Sequence, residues 1–260
     1  MSPAPPDSAS IFELALATLP VSAPFVWLRK GWQDFLQQPL IGLFYGLCFF
    51  LMGHALWWVF GEAPAYVMAL SAGFLLMGPF LCLGLYHVSR ELEQGRAPHL
   101  LETLQAWRPT RGAMGIFAGV LLVLEMLWGR ASLVVFAVSF DLPPGGQVTL
   151  SQLLDPENFA FLITFALVGG VFASLIFVTS VIAIPMILDR HVDAVSAALT
   201  SARACLQNPG VMLLWGSLIT ALVLLAMLPY FAGLLVVGPV LGHATWHAYR
   251  SIVPHAERPA

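Results

Sequence analysis

One uncharged stretch, 204-ACLQNPGVMLLWGSLITALVLLAMLPYFAGLLVVGPVLGHATWHAY-249, is too long to form a single membrane helix. As one α-helix it would reach about 70 Å, whereas the hydrocarbon core of a bilayer is about 30 Å thick. The stretch therefore predicts two membrane helices that fold back on each other. The segment Leu228-Pro229-Tyr230 is the expected position of the turn.

Four more stretches have the length of a membrane helix and carry few or no charged residues. They cover residues 35–61, 63–89, 112–140 and 158–188, and the third is interrupted by Glu125 and Arg130. Hydrophobic residues fill 59% of the 260 positions and charged residues only 10%, which excludes an ordinary soluble domain. The sequence thus predicts an all-α, polytopic membrane protein with six transmembrane helices.

The six helices are expected to form three hairpins within one membrane domain that covers residues 24–252. These hairpins lie at about 40–88, 112–188 and 210–250. Residues 1–23 are expected to be a disordered or weakly ordered N-terminal tail, and residues 253–260 a C-terminal tail. No secretory signal is expected, because the first residues lack a basic segment.

The basic residues indicate how the chain is oriented in the membrane. Ten of the eleven Lys and Arg residues fall into four clusters, which lie before the first predicted span and after the second, fourth and sixth, and only Arg130 lies apart. By the positive-inside rule, both termini are expected in the cytoplasm of a bacterium, with the chain in the inner membrane. The net charge of -3 argues against nucleic acid as a partner. The clusters are Arg29/Lys30, Arg90 to Arg111, Arg190/Arg203 and Arg250/Arg258.

Each hairpin is preceded by apolar residues at helical spacing that end shortly before a proline. This pattern predicts three amphipathic helices on the cytoplasmic membrane surface. Part of the first hairpin recurs 160 residues later in the third, which indicates an internal repeat: Gly78-Pro79, Tyr86-His87 and Arg90 return as Gly238-Pro239, Trp246-His247 and Arg250. The surface-helix residues are Phe25, Leu28, Trp32 and Phe35, then Leu100, Leu104 and Trp107, then Val192, Val195, Leu199, Ala202 and Leu206.

Two long motifs carry a family resemblance. The sequences IPMILDRHVD at 184–193 and GPVLGHATWHAYR at 238–250 resemble bacterial membrane proteins grouped as domain-of-unknown-function family 2189, and GWQDF at 31–35 also fits. The resemblance extends from about Pro24 to Ile252 and implies a bacterial integral membrane protein. It implies no established activity, although some relatives are labelled as cytochrome c oxidases.

Haem-copper chemistry needs several histidines at one depth in the membrane. His54 is predicted in the outer half of the first span and His243 in the inner half of the sixth. His87 and His247 are predicted near the inner surface, so the four side chains do not converge. No cofactor or metal is therefore expected. His243 and His247, four residues apart on one helix face, are interpreted as interfacial packing beside Trp246.

Glu125 is the main functional candidate, because an ionisable side chain inside a transmembrane helix is costly and usually faces protein or a wet cavity. It lies about 20 Å into the third predicted helix, and Arg130 lies about 27 Å in, near the outer face. Glu125 either locks helix packing or belongs to a proton or solute pathway. Because a helix over 112–140 would reach about 43 Å, this hairpin is expected to break near Arg130 or to project beyond the membrane.

The segment Asp189-Arg190-His191-Val192-Asp193 places two carboxyl groups around a histidine at the membrane surface. A structural interpretation is preferred to a catalytic one, with Asp193 capping the helix that begins at Ala194. No nucleophile lies within the motif for a base to activate.

The sequence therefore favours a non-enzymatic structural or accessory protein of the membrane. One alternative is a transporter of protons or small solutes that uses Glu125, and another is a haem-containing or accessory subunit of a respiratory oxidase. The expected partners are the lipid bilayer and either a membrane protein or a second copy of the chain. The candidate polar residues are Glu125, Arg130, Asp189, Arg190, Asp193, His87, Arg90, His243, His247 and Arg250.

Overall fold

The computed structural model of the protein describes residues 14–62, 64–140 and 155–254, which form α-helices and two short 3-10 helices, at Arg108–Thr110 and Pro156–Asn158. No β-strand occurs in these ranges. The α-helices are α1 Ala23–Gln37, α2 Pro39–Glu62, α3 Pro64–Glu93, α4 Leu100–Gln105, α5 Arg111–Ser139, α6 Phe159–Ser180, α7 Ala183–Arg190, α8 Ala194–Gln207, α9 Pro209–Met227 and α10 Leu234–Ile252.

Four helical stretches among the described residues are long and apolar enough to cross a membrane. They are Pro39–Val59, Leu100–Ser139, Pro156–Arg190 and Pro209–Met227. The all-helical membrane class is therefore confirmed. The other two predicted spans fall on α3 and α10, which are helical but are not among these four stretches.

The predicted turn in the uncharged stretch lies between α9 and α10. α9 ends at Met227, and Tyr230 and Phe231 adopt positive φ angles of 51° and 64° in the turn that follows. Gly233 closes the turn by donating its backbone N–H to the Ala226 carbonyl at 3.2 Å. A Cβ atom at Gly233 would lie 2.6 Å from the Cα of Ala226, so this close approach requires glycine.

After α1 and after α8, a single residue separates the helix from a proline that begins the next helix. Gln38, between α1 and α2, has φ −132° and ψ 60°, and Asn208, between α8 and α9, has φ −125° and ψ 53°. Proline is tolerated at the start of a helix because the N–H that it lacks would have no intrahelical partner there. The chain therefore turns in the same way from both short helices into the long ones.

Hydrogen bonds connect the segment before α1 to the last helices of the chain. Its backbone is held by Asn208, whose side chain accepts from the Leu19 N–H at 2.9 Å and donates to the Ala17 carbonyl at 3.0 Å. The Ala17 N–H in turn donates to the carbonyl of Ile252 at 2.9 Å. Residues 14–22 thus connect the start of α9 with the end of α10. The first part of the predicted tail, residues 1–13, lies outside the described residues.

α10 lies at the centre of one side of the bundle, in contact with α1, α2, α3 and α9. Its second half, Leu241–Tyr249, is buried throughout. The contacts are close: a Cβ atom at Gly46 of α2 would lie 2.0 Å from the Leu235 carbonyl oxygen, and one at Gly31 of α1 would lie 2.6 Å from that of Val240. α10 can carry polar side chains because neighbouring helices, and not lipid, surround this half.

The predicted break near Arg130 is wrong, because α5 continues through Arg130 to Ser139. The interruption lies in the next helix, between α6 and α7, at Val181-Ile182. Pro185 cannot donate to a helix backbone, so the break places it in the first turn of α7. Ser201 of α8 completes the break, since its hydroxyl donates to the Val178 carbonyl at 2.7 Å and accepts from the Ile182 N–H at 3.2 Å. Projection of α5 beyond the membrane stays a prediction.

Candidate functional site

A cluster of buried polar side chains joins α1, α3 and α10. Asp34 of α1 is at its centre. The hydroxyl of Ser89 on α3 donates to Asp34 Oδ2 at 2.6 Å, and Nε2 of His247 on α10 lies 2.8 Å from the same oxygen. Nδ1 of His243, one turn earlier on α10, lies 2.8 Å from the Ser89 hydroxyl. Ser89 and His243 are fully buried, and Asp34 is only 7% exposed.

The hydrogen-bond partners assign the protons in this cluster. An ionised Asp34 can only accept, so His247 carries a proton on Nε2. Ser89 has one proton and gives it to Asp34, so the hydrogen between Ser89 and His243 comes from His243 Nδ1. His243 Nε2 and His247 Nδ1 are then left without a hydrogen-bond partner among the described residues.

The cluster reaches the protein surface through Glu93 and Arg250. Glu93 Oε1 lies 3.7 Å from Nδ1 of His247, and Nε of Arg250 donates to Glu93 Oε2 at 3.0 Å. His247 thus lies between the buried carboxylate of Asp34 and a second carboxylate at the surface. A partly exposed ion pair of this kind contributes little stability by itself. Its position fixes the last turns of α3 and α10 against each other.

Ser89, His243 and Asp34 are the residue types of a hydrolase triad, but their order is different. In a triad the histidine lies between the serine and the carboxylate and takes the proton of the serine. Here Ser89 lies between His243 and Asp34, and its hydroxyl points to the carboxylate. The order of a triad is therefore not present in this cluster, and all three side chains lie in the packed interior. The hydrogen bonds of the cluster connect α1, α3 and α10.

Asp189 and Arg190 tie the end of α7 to the end of α10. The hydroxyl of Tyr249 donates to Asp189 Oδ2 at 2.6 Å, and Nε of Arg190 donates to the same hydroxyl at 3.2 Å. Arg190 also donates to the carbonyls of Val253 at 3.3 Å and Pro254 at 2.9 Å. The side chains of Asp189 and Arg190 therefore both make hydrogen bonds within the chain.

Asp193 caps α8, as the sequence predicts. Its Oδ1 accepts from the backbone N–H of Ser196 at 2.9 Å. Hydrogen bonds from the side chain and the backbone of Ser196 lower the pKa of Asp193 below its usual value, because they stabilise the carboxylate.

His87 and Arg90 lie together near the C-terminal end of α3. Nη2 of Arg90 donates to His87 Nδ1 at 3.2 Å, and Nη1 donates to the Leu188 carbonyl of α7 at 3.3 Å. Next to them, Nη2 of Arg96 donates to Glu91 Oε1 at 2.8 Å, and this bond lowers the pKa of Glu91. These groups close the turn after α3 and hold α7 against it.

Glu125 lies apart from these polar clusters. Its side chain is 4% exposed, and its Oε2 atom has no hydrogen-bond partner among the described residues. It lies at one end of a groove of about 940 Å³ that α5, α6, α8 and α9 line. Arg130, five residues further along α5, is exposed on the surface of the helix and does not line the groove.

The sequence predicted His243, His247 and Arg250 as candidates but missed Asp34, Ser89 and Glu93, which connect them. One signal for Asp34 was available. Asp34 lies between Phe35 and Gly31 on the face of α1 that packs against α10, where a charged residue needs a partner. Helical spacing places Asp34 on this face, but it does not name the partner, since His247 is 213 residues away.

Two of the histidines belong to the polar cluster, and a third lies apart from it. Nδ1 of His243 and Nε2 of His247 already bind Ser89 and Asp34, which leaves one free nitrogen on each ring. The part of the chain that the structure describes holds no group of three or more His, Cys, Asp or Glu side chains placed to bind a metal. His54 lies elsewhere, against Phe50 and Phe231.

Comparison with protein families agrees with the membrane class. Residues 67–189 match the family model described as "Predicted integral membrane protein (DUF2189)". No curated protein and no solved structure matches the chain. The matched range includes Glu125 and Asp189, and it ends before α8, α9 and α10.

Proposed function

We propose that the chain, whose residues 67–189 match this family of predicted integral membrane proteins, is a non-enzymatic accessory protein of a bacterial inner membrane. In this function it binds another membrane protein or a second copy of itself. The observation that supports the proposal most is that the buried polar cluster of Asp34, Ser89, His243 and His247 bonds internally and joins three helices. Side chains used in this way stabilise a scaffold and leave no activated group for catalysis.

The proposed topology has six spans in three hairpins, with both termini in the cytoplasm. α3 and α10 are the two further spans, and α10 is shielded from lipid by its neighbours. α2 contacts α3, α5 contacts α6, and α9 contacts α10, as the hairpins require. The matching backbone angles at Gln38 and Asn208 support the internal repeat between the first and last hairpins.

The short helices α1, α4 and α8 lie on the cytoplasmic surface in this topology. α1 buries one face against α10 and exposes a second apolar face beside Arg29 and Lys30. An apolar stripe next to basic residues is typical of helices that lie in the membrane interface. The exposed apolar residues are Phe25, Trp32 and Leu36 on α1, Leu101 and Leu104 on α4, and Val195, Leu199 and Leu206 on α8.

Affinity purification of the full chain from its native membranes tests the accessory function. The tagged protein is extracted in mild detergent, and an equally expressed, tagged membrane protein of unrelated sequence is the control. We expect one membrane protein, or a second copy of the chain, to be recovered in a fixed molar ratio and to be absent from the control. Recovery of the chain as a monomer without a partner would contradict the proposal.

A transporter that uses Glu125 is the second candidate. The observation in its favour is that Glu125 is a buried carboxyl at the edge of a groove. Proton and solute flux into proteoliposomes, compared between wild type and Glu125→Gln, tests it. Flux that the substitution removes would establish transport, and equal flux in wild type, the variant and empty liposomes would reject it.

A further inference from the structure

We propose that the groove between α6 and α9 binds a mostly apolar molecule from the bilayer that donates one hydrogen bond to Glu125. The groove is defined by α6 and α9 as its sides, α5 as its back and α8 as its cytoplasmic end. Its volume of about 940 Å³ is in the range of small-molecule sites.

The shape of the groove determines the orientation of its occupant. On α6 it is lined from Gly169 to Ser180, a length of about 17 Å along the helix axis. Cys205 and Leu206 of α8 line its cytoplasmic end. Glu125 lies about 21 Å along α5 from Arg111, at the other end of the groove. The polar group of an occupant therefore belongs at the deep end, and its apolar body extends toward the cytoplasm.

Small residues and one aromatic cluster shape the deep end. A Cβ atom at Gly170 would meet no atom within 4 Å, and one at Gly169 would lie 3.1 Å from the ring of Trp128. That ring packs against Phe165 and Phe172, with centroid distances of 5.2 and 5.9 Å. The glycines leave open space beside a wall held in place by aromatic packing.

The Oε2 atom of Glu125, which has no partner among the described residues, indicates the chemistry of the ligand. Burying a polar group without a hydrogen bond reduces stability, and a donor from a ligand restores the lost interaction. The side chain is 4% exposed, and its Oε2 has no partner among the described residues. The rest of the lining is mainly apolar, with hydroxyls such as those of Ser174 and Thr220 bonded to carbonyls of their own helices. A molecule with a hydroxyl or N–H group on an apolar body donates a hydrogen bond to Glu125 and also fits the apolar lining.

The dimensions favour a small molecule over the transmembrane helix of a partner. A helix about 10 Å wide that crosses about 30 Å of hydrocarbon occupies on the order of 2,000 Å³, well above the volume of the groove. α8 also closes the cytoplasmic end, so a spanning helix cannot continue along it.

Photolabelling of the full chain in lipid nanodiscs tests the proposal. The probe is 1-dodecanol with a diazirine on its chain, and labelled positions are mapped by mass spectrometry. Unlabelled 1-dodecanol and dodecyl methyl ether compete with it, and they differ in that the ether has no hydrogen-bond donor. In wild type we expect labelling concentrated on the groove segments of α5, α6 and α9, with the alcohol competing at about tenfold lower concentration than the ether.

Three variants test whether the preference for the alcohol over the ether depends on Glu125. Glu125→Leu removes the acceptor, and we expect alcohol and ether to compete equally; it removes an unpartnered polar group, so it is expected to fold. Glu125→Gln keeps a carbonyl oxygen and is expected to retain part of the preference. Glu102→Gln makes the same change on exposed α4 and is expected to behave as wild type.

Three results would overturn the proposal. One is labelling spread evenly over all lipid-facing helices. Another is a preference for the alcohol that persists in Glu125→Leu. The third is a disulfide cross-link between copies of a Gly170→Cys variant, which would place a helix of a second copy in the groove.

Discussion

Each of the two sides of the helix bundle contains a buried carboxyl group, and the two groups differ in their hydrogen-bond partners. On the side of α1, α3 and α10, Asp34 accepts hydrogen bonds from Ser89 and His247. On the side of α5, α6 and α9, Glu125 Oε2 has no partner among the described residues and faces a groove. A buried polar group stabilises a fold when its neighbours complete its hydrogen bonds, and it indicates a binding site when they do not.

Asp34→Ala breaks the first side of this comparison and is expected to have the largest effect. It leaves Ser89 and His247 without their acceptor in the packed interior, and loss of one partner of a buried pair reduces stability by about 3–5 kcal/mol. The measurement is the unfolding free energy in detergent micelles, by titration with a denaturing detergent.

Asp34→Asn is the matched control, because it keeps one oxygen acceptor and is expected to lose less stability. Equal stability of Asp34→Ala and an exposed variant such as Glu102→Ala would show that the cluster does not join the helices.

Gly46→Ala tests whether the helices around α10 are also packed more tightly than the helices around the groove. A Cβ atom at Gly46 would lie 2.0 Å from the Leu235 carbonyl oxygen, so α2 and α10 must separate, and we expect a loss of about 2–3 kcal/mol. Gly170→Ala on α6 adds the same methyl group in open space and is expected to be neutral or to stabilise slightly. Similar losses in both variants would contradict the difference between the two sides.

Glu125→Leu should change stability in the opposite direction from Asp34→Ala. Without a ligand, replacement of an unpartnered buried carboxyl by an apolar side chain is expected to raise the unfolding free energy by about 1–2 kcal/mol. The same detergent titration measures it, with Leu124→Ala as a control for packing at the neighbouring position. A clear loss of stability would mean that Glu125 has a structural partner and would remove the basis for a ligand site.

Sequence reasoning predicted the features that depend on local chemistry or on length. The turn after Met227 follows from the length of the uncharged stretch, and Asp193 is a helix cap by its position before Ala194. Features that depend on distant contacts were not predictable. The break at Val181-Ile182 depends on Ser201, which supplies hydrogen bonds to the interrupted backbone from another helix. Apolar periodicity marks the buried face of a helix, but it does not show which distant polar residue lies opposite.

A third carboxylate, Asp193, shows how much the burial of Asp34 contributes to the effect expected for Asp34→Ala. Asp193 has donors, as Asp34 does, but it is exposed to water. Asp193→Ala is expected to reduce stability by about 1 kcal/mol near pH 7, the usual loss for an N-cap, and so less than Asp34→Ala.

The loss on Asp193→Ala should depend on pH with a defined sign. Because the bonds from Ser196 lower the pKa of the folded carboxyl, the cap contributes fully above the unfolded pKa of about 3.9. Its contribution falls as the pH drops through the lower folded pKa, so the difference between wild type and variant should shrink in acid. Ser196→Ala removes the side-chain donor and keeps the backbone N–H, so it should lose only part of the effect. A difference that does not shrink as the pH falls below the unfolded pKa of about 3.9 would show that Asp193 acts through packing and not as a carboxylate.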